Sequence, residues 1–221
     1  MSDVIGQESQ EERPYHHGDL RRALLEATRE LLMEGGVQAA SLRAVARRAG
    51  VTNRAPYHHF PDKCSLLAAV ATEGFRKLRE NVARRLEHAG SDPVARLTEI
   101  GLGYIEFAHQ NPGEFQVMFW HEVCDAEEHP ERDTASECCF MQLLETIQSM
   151  ARRPIGEHEL KSLGVTAWSA VHGFATLRAQ DSFVDERVDD LAEALARRIA
   201  VVTALEVGAF SLVPAVSDSV S

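Results

Sequence analysis

Apolar residues recur every three or four positions along most of this chain, the spacing of amphipathic helices, and no stretch alternates as a half-buried strand would. Leu20, Ala23, Leu24, Ala27, Leu31 and Leu32 form one stripe, opened by Asp19 as N-cap and stopped by Gly35-Gly36. Ser41 caps a second helix of about two turns, with Leu42, Val45, Ala46 and Ala49 inward and Gly50 at its end. A third helix is expected from Thr52, its cap, to about Phe60. Pro56 removes one backbone bond from that helix, so a tight or 3₁₀-like start is expected, with a loop as the alternative. Pro61-Asp62 then restarts the chain into a long helix carrying Leu66, Leu67, Val70, Phe75, Leu78, Val82 and Leu86.

Gly90-Ser91-Asp92-Pro93 reads as a joint, with Asp92 as cap and Pro93 at the first helical position. Helical patterns follow at 93–110, 113–120, 134–152, 157–180 and 186–211, with the polar run 121–133 among their separators. Residues 1–12 and 214–221 read as tails. The expected fold is all-α: a three-helix unit with a helix-turn-helix pattern at 13–63, a connecting helix at 64–90, and a larger helical domain at 91–213.

Composition changes this picture little, charge considerably. With 44% hydrophobic and 26% charged residues the chain is neither disordered nor membrane-spanning. Its N-terminus has no basic and apolar leader, so a cytoplasmic location and four reduced cysteines are expected. The net charge of -11 argues against nucleic acid as a single number. By segment, residues 1–12 hold four acids and no bases, 13–63 hold nine Lys or Arg against five Asp or Glu, and the remainder holds fourteen against twenty-five. A basic unit on an acidic body can present one end to phosphate.

A helix-turn-helix needs two short helices around a tight turn, so that the second reaches a major groove about 12 Å wide. Gly50-Val51 supplies that turn. Arg43, Arg47, Arg48, Thr52, Asn53, Arg54, Tyr57, His58, His59 and Lys63 then gather phosphate donors and base-edge readers in one neighbourhood. The run Ser41-Leu42-Arg43-Ala44-Val45-Ala46-Arg47-Arg48-Ala49-Gly50-Val51-Thr52, followed by Tyr57-His58-His59-Phe60 and by Lys63, Leu66 and Leu67, resembles the TetR family of regulators. That resemblance implies phosphate grip by Ser41, Tyr57 and Lys63, and groove-facing roles for Arg43 and Thr52 to Arg54. Arg can pair with a guanine edge and Asn with an adenine edge, which makes Arg43, Asn53 and Arg54 the candidate readers. Tyr15 to Asp19, with Arg13, Arg21 and Arg22, form a candidate arm along the DNA backbone.

A two-fold operator requires a two-fold protein. The last two helices are the expected homodimer surface, through Gly164, Ala167, Ala170 and Gly173 and the stripe Val188, Leu191, Leu195, Ile199 and Val202; plain core packing would use the same stripe. Trp168-Ser169-Ala170-Val171-His172-Gly173 resembles the Trp…His-Gly signature of one TetR C-terminal subgroup. Phe107, Phe115, Met118, Phe119, Trp120, Phe140, Met141 and Leu144, with Trp168 and His172, are the candidate effector pocket, and plain core is the alternative for each. Such a lining suits a lipophilic or aromatic molecule, since no phosphate cradle appears. His121, Cys124, His129, Cys138 and Cys139 raise a zinc or thiol-sensor reading that their spacing supports poorly, so neither metal nor cofactor is expected.

The function this implies is a repressor released from a palindromic DNA operator by a small-molecule effector. An activator of the same fold is the alternative. An enzyme using the C-terminal pocket finds no support, because no nucleophile elbow, metalloprotease or phosphate-loop motif is present.

Overall fold

The computed structural model describes residues 17–120, 129–180 and 187–209, and the side chains from residue 20 onward within those ranges. All regular structure among them is helical. Helix α1 (His17–Ala39) starts before Asp19, so that residue falls in the first turn, where an acid suits the positive end of the helix dipole. The expected stop at Gly35-Gly36 is a break: Gly36 has φ 62° and ψ -163°, conformations essentially confined to glycine, and one further turn reaches Ala39.

Ser41 caps α2 (Leu42–Arg48) as the sequence suggests, its Oγ accepting the Ala44 N–H at 3.2 Å. The C-terminus closes with Gly50 N–H on Arg47 O at 3.2 Å and Val51 N–H on Ala46 O at 2.9 Å, a Schellman arrangement. It places Gly50 at φ 70°, which is why glycine fits there.

The expected third α-helix is instead a 3₁₀ turn, Ala55–His58. Thr52 does not cap it; Arg54 stands at the N-cap and makes no side-chain cap bond. Pro56 explains the difference: it lacks an N–H and disfavours α geometry at Ala55. Its ring is fully buried beside the core that holds Phe60, so it anchors the segment it shortens.

Asp62 accepts the Ser65 N–H at 2.7 Å and starts α3 (Lys63–His88). Asp92 does the same for α4 (Pro93–Gln110) through Ala95 N–H at 3.0 Å. Then come α5 (Pro112–Met118), α6 (Pro130–Met150), α7 (Glu157–Ala179) and α8 (Val188–Glu206). Helix α6 begins inside the run expected as a linker, because Pro130 fits a first helical position and Glu131 and Asp133 suit a first turn.

Helix α3 is the spine. One apolar core runs from Leu24, Val45 and Phe60 through Leu66 and Val70 to Phe75, Tyr104 and Phe115, so the helix-turn-helix is packed onto the body. A second cluster, around Leu97, Ile147, Leu163, Ala200 and Val207, joins α4, α6, α7 and α8.

The two last helices divide their apolar residues differently from the expected stripe. Helix α8 turns Ala192, Ala196, Ala200 and Ala204 inward, leaving Leu191 and Val202 exposed and Val188, Leu195 and Ile199 half-buried. On α7, Gly164 serves the chain's own packing: a Cβ there would collide with the Leu144 side chain. Ala167 is buried as well, whereas a Cβ on Gly173 would meet open space.

Candidate nucleic-acid interface and effector cavity

Burial of Leu42, Val45 and Ala46 on one face of α2 and of Pro56 and Phe60 after it leaves the polar face outward. Ser41, Arg43, Thr52, Asn53, Arg54, Tyr57 and His58 are all exposed on this single surface, and Tyr57 is 53% exposed despite its aromatic ring. His59 is half-buried against Phe60, with ring centroids 6.4 Å apart.

Two basic residues have other partners. Arg48 donates to Glu30 at 3.0 Å and to Glu34 at 2.6 Å, which turns it toward α1. Lys63 Nζ donates to the Val37 carbonyl at 2.6 Å, just past the Gly36 break, and partial burial lowers its pKa. An ammonium has three donors, so this bond leaves two for a phosphate. Arg21 pairs with Glu73 at 3.4 Å and lies over the Phe60 ring at 5.6 Å. Arg13, Tyr15 and His16 lie outside the described residues, as do His121 and Cys124.

Among the described cysteines, one departs from expectation. Cys64 is in a disulfide rather than a free thiol, while Cys138 and Cys139 are free. Cys139 donates to the Phe75 carbonyl at 3.1 Å, and burial pushes its thiol up to about 12, so it behaves as a small core residue. His129 precedes α6, with its Nε2 3.3 Å from the Cys64 sulfur.

Of the ten candidate pocket residues, Phe119, Phe140 and Trp168 line a cavity of about 280 Å³ between α3, α4, α6 and α7. Phe107, Met118 and Leu144 are core, and Met141 points outward at 49% exposure. Trp120 is half-buried beside Leu67, Ala68 and Arg132. Phe115 and His172 face a second space, a groove of about 430 Å³ between the end of α1, α5 and α7, which meets the first at Phe119. Sequence reasoning missed Phe75, Leu78 and Val82, the continuation of the α3 stripe past the helix-turn-helix core, together with Tyr104 on α4. It also missed Arg79, Glu137 and Gln142 at the cavity's edge, for which no periodic signal exists.

Tyr104 is the polar centre between cavity and groove. Its hydroxyl accepts from Trp168 Nε1 at 3.2 Å and lies 2.8 Å from His172 Nδ1. Phe119 packs on the same residues, with ring centroids 4.6 Å from His172 and 6.0 Å from Trp168. Burial raises the Tyr104 pKa and lowers that of His172, so both are neutral near pH 7.

A second polar feature joins the two halves of the molecule. Glu114 on α5 is 3% exposed and accepts from Arg29 Nε on α1 at 2.5 Å and from Lys77 Nζ on α3 at 2.9 Å; Arg29 also pairs with Glu73 and Glu26.

Two family models match the chain: residues 24–70 match the bacterial regulatory proteins of the tetR family, and residues 97–200 match the tetracyclin repressor-like C-terminal domain. The HTH-type transcriptional regulator BetI of Yersinia pestis (strain Pestoides F) is 36% identical over 103 residues, 45% of this chain and 52% of that protein. The match thus spans about half the length of that curated relative. The uncharacterized HTH-type regulator YobS of Bacillus subtilis (strain 168) is 25% identical over 80% of this chain and 87% of its own. Among solved structures, a protein of unknown function from Rhodococcus sp. RHA1 is 30% identical with a TM-score of 0.74, over 86% of this chain and 98% of that one. The TetR family regulator PfmR from Thermus thermophilus, at 19% identity and a TM-score of 0.61 over 82% of this chain and 97% of that one, shares the fold.

Proposed function

The chain belongs to the TetR family of bacterial transcriptional regulators, and from that premise we propose that it is a homodimeric repressor which leaves a palindromic DNA operator when a small lipophilic or aromatic effector fills the body. The observation that carries this reading is the exposed polar face of α2 and the 3₁₀ turn on one continuous core with a cavity lined by aromatic side chains. In that face Ser41, Tyr57 and Lys63 hold phosphates, while Arg43, Asn53 and Arg54 read base edges, with Thr52, His58 and His59 beside them. The exposed Leu191 and Val202 on α8 and the open side of Gly173 on α7 supply the apolar surface for pairing through the last two helices.

The effector acts through α5. Phe119 is the C-cap residue of that helix and lines the cavity, and Glu114 in its first turn holds α1 through Arg29. A ligand that displaces Phe119 shifts the tie to α1 and with it the spacing of two half-sites about 34 Å apart. No described helix is long and apolar enough to cross a membrane. A gel-shift with DNA upstream of the protein's own gene tests the reading: retardation at low salt, reversed by an aromatic compound selected in a thermal-shift screen, is expected. Failure to bind any neighbouring promoter at low salt would overturn it.

A further inference from the structure

The groove of about 430 Å³ between α1, α5 and α7 differs in chemistry from the aromatic cavity beside it. The cavity carries Arg79 and Glu137 among its lining; none of the described residues lining the groove is charged. Its polar groups are the Gln116 and Gln180 carboxamides, the Thr176 hydroxyl and the His172 ring, set among Leu32, Met33 and Phe115. An ionised ligand would leave its hydration there without a counter-charge, whereas an uncharged one would lose little.

The hydrogen bonds of Tyr104 bear on the tautomer of His172. The Tyr104 hydroxyl has one proton and already accepts from Trp168 Nε1. Its remaining neighbour is His172 Nδ1 at 2.8 Å; with the hydroxyl donating to Nδ1, which gives its one proton an acceptor, the neutral ring carries its proton on Nε2. Nε2 has no hydrogen-bond partner among the described residues. His172 lines the groove and not the cavity.

We propose that this groove is a second small-molecule site, separate from the effector cavity, that takes an uncharged ligand with an apolar body and a carbonyl-type acceptor bound by His172 Nε2–H. The tyrosine and tryptophan act as positioning residues, since they hold the imidazole in the donating tautomer. An occupant touches Leu32 and Met33 immediately before the Gly35-Gly36 break, and so bridges the DNA-reading unit and the body. The proposal stands whether or not the aromatic cavity binds an effector.

The test is a nuclear magnetic resonance titration of the full chain, labelled with ¹⁵N at histidine and with ¹³C at the methionine and leucine methyls, using benzamide and its charged isostere benzoate. Before any ligand is added, His172 should show a bare Nδ1 and a protonated Nε2. Benzamide should shift the Nε2–H resonance saturably and give contacts to the Met33 methyl, which lines only the groove, rather than to Leu143, which lines the cavity. Tyr104→Phe should weaken benzamide about 3–10-fold, the worth of one hydrogen bond, and mix the two tautomers. Benzoate binding as tightly as benzamide, contacts confined to Leu143, or a proton on Nδ1 in the unliganded protein would overturn the assignment. So would Tyr104→Phe binding benzamide like the wild type.

Discussion

Arg29 Nε donates to Glu114 Oε1 at 2.5 Å, a bond across 85 positions of sequence that ties the first helix to α5. Glu114 is almost wholly buried, and Arg29 and Lys77 are the basic residues paired with it. Removing one partner of a buried pair leaves the other charge uncompensated at a cost of about 3–5 kcal/mol. Arg29→Ala, which leaves the buried Glu114 carboxylate with the half-exposed Lys77 alone, should therefore lower stability by up to about that much in urea unfolding. A loss under about 1 kcal/mol, as for a surface pair, would show that the tie does not hold the halves together.

Lys63 holds the Val37 carbonyl and is the proposed phosphate grip, and its substitution tests both. Loss of the ammonium takes a donor from the Val37 carbonyl, costing about 1.5–3 kcal/mol for a charged hydrogen bond. If Lys63 also grips phosphate, Lys63→Ala should weaken binding to every DNA sequence and lower the salt slope by about one unit. Calorimetry with salt-dependent titration reads the two separately. Tyr57→Phe, at an exposed side chain, should weaken DNA by about 0.5–1.5 kcal/mol with the salt slope and the melting temperature unchanged.

Burial lowers the His172 pKa below its ordinary value of 6.5. The unfolded chain thus takes up this proton more readily, so the contribution of neutral His172 is complete above pH 6.5 and is lost as pH falls toward the depressed folded value. Melting temperatures followed downward from pH 7 should drop less steeply in His172→Gln than in the wild type. Equal slopes would show that His172 titrates as if exposed.

Cys139 gives the opposite case. Its thiol is held near 12 against an ordinary 9.0, so the stability it lends is complete below pH 9.0 and disappears as pH rises toward 12. At pH 8 only about one molecule in 10⁴ carries the thiolate. Iodoacetamide at that pH should leave Cys139 unmodified in the native protein and alkylate it in urea, as read by peptide mass spectrometry. Rapid native alkylation would place it in a different environment.

The helices and their boundaries were largely legible in the sequence because local signals decide them. Asp62 and Asp92 cap the helices that follow, and Gly50 ends α2 in a left-handed conformation that favours glycine over other residues. The exposed face from Ser41 to His58 was legible for the same reason, since its apolar complement has to face the core. The 3₁₀ turn was read only in part: Pro56 signalled a tight start, while its effect on Ala55 shortened the whole element. The cavity was the hard part. Phe107, Phe119 and Leu144 look alike in sequence, and only the crossing of α3 with α4 and α6 separates core from lining. Tyr104 had no partner visible in sequence, because Trp168 and His172 lie 64 and 68 positions away. Leu191 and Val202 turned outward because Ala192, Ala196 and Ala200 fit a tighter approach to α4 and α7.

The most direct measurement is a fluorescence-anisotropy titration of the wild type and Arg54→Ala on a labelled duplex from upstream of the protein's own gene, on its single-base variants, and on a scrambled duplex. The wild type should bind the natural duplex with a Kd of about 10 nM or tighter, and far more tightly than the scrambled one. Arg54→Ala should lose about 1–3 kcal/mol of preference at one base pair per half-site while still discriminating elsewhere. Equal affinity of the wild type for natural and scrambled duplexes, or a uniform loss in Arg54→Ala across all variants, would contradict sequence reading by this face.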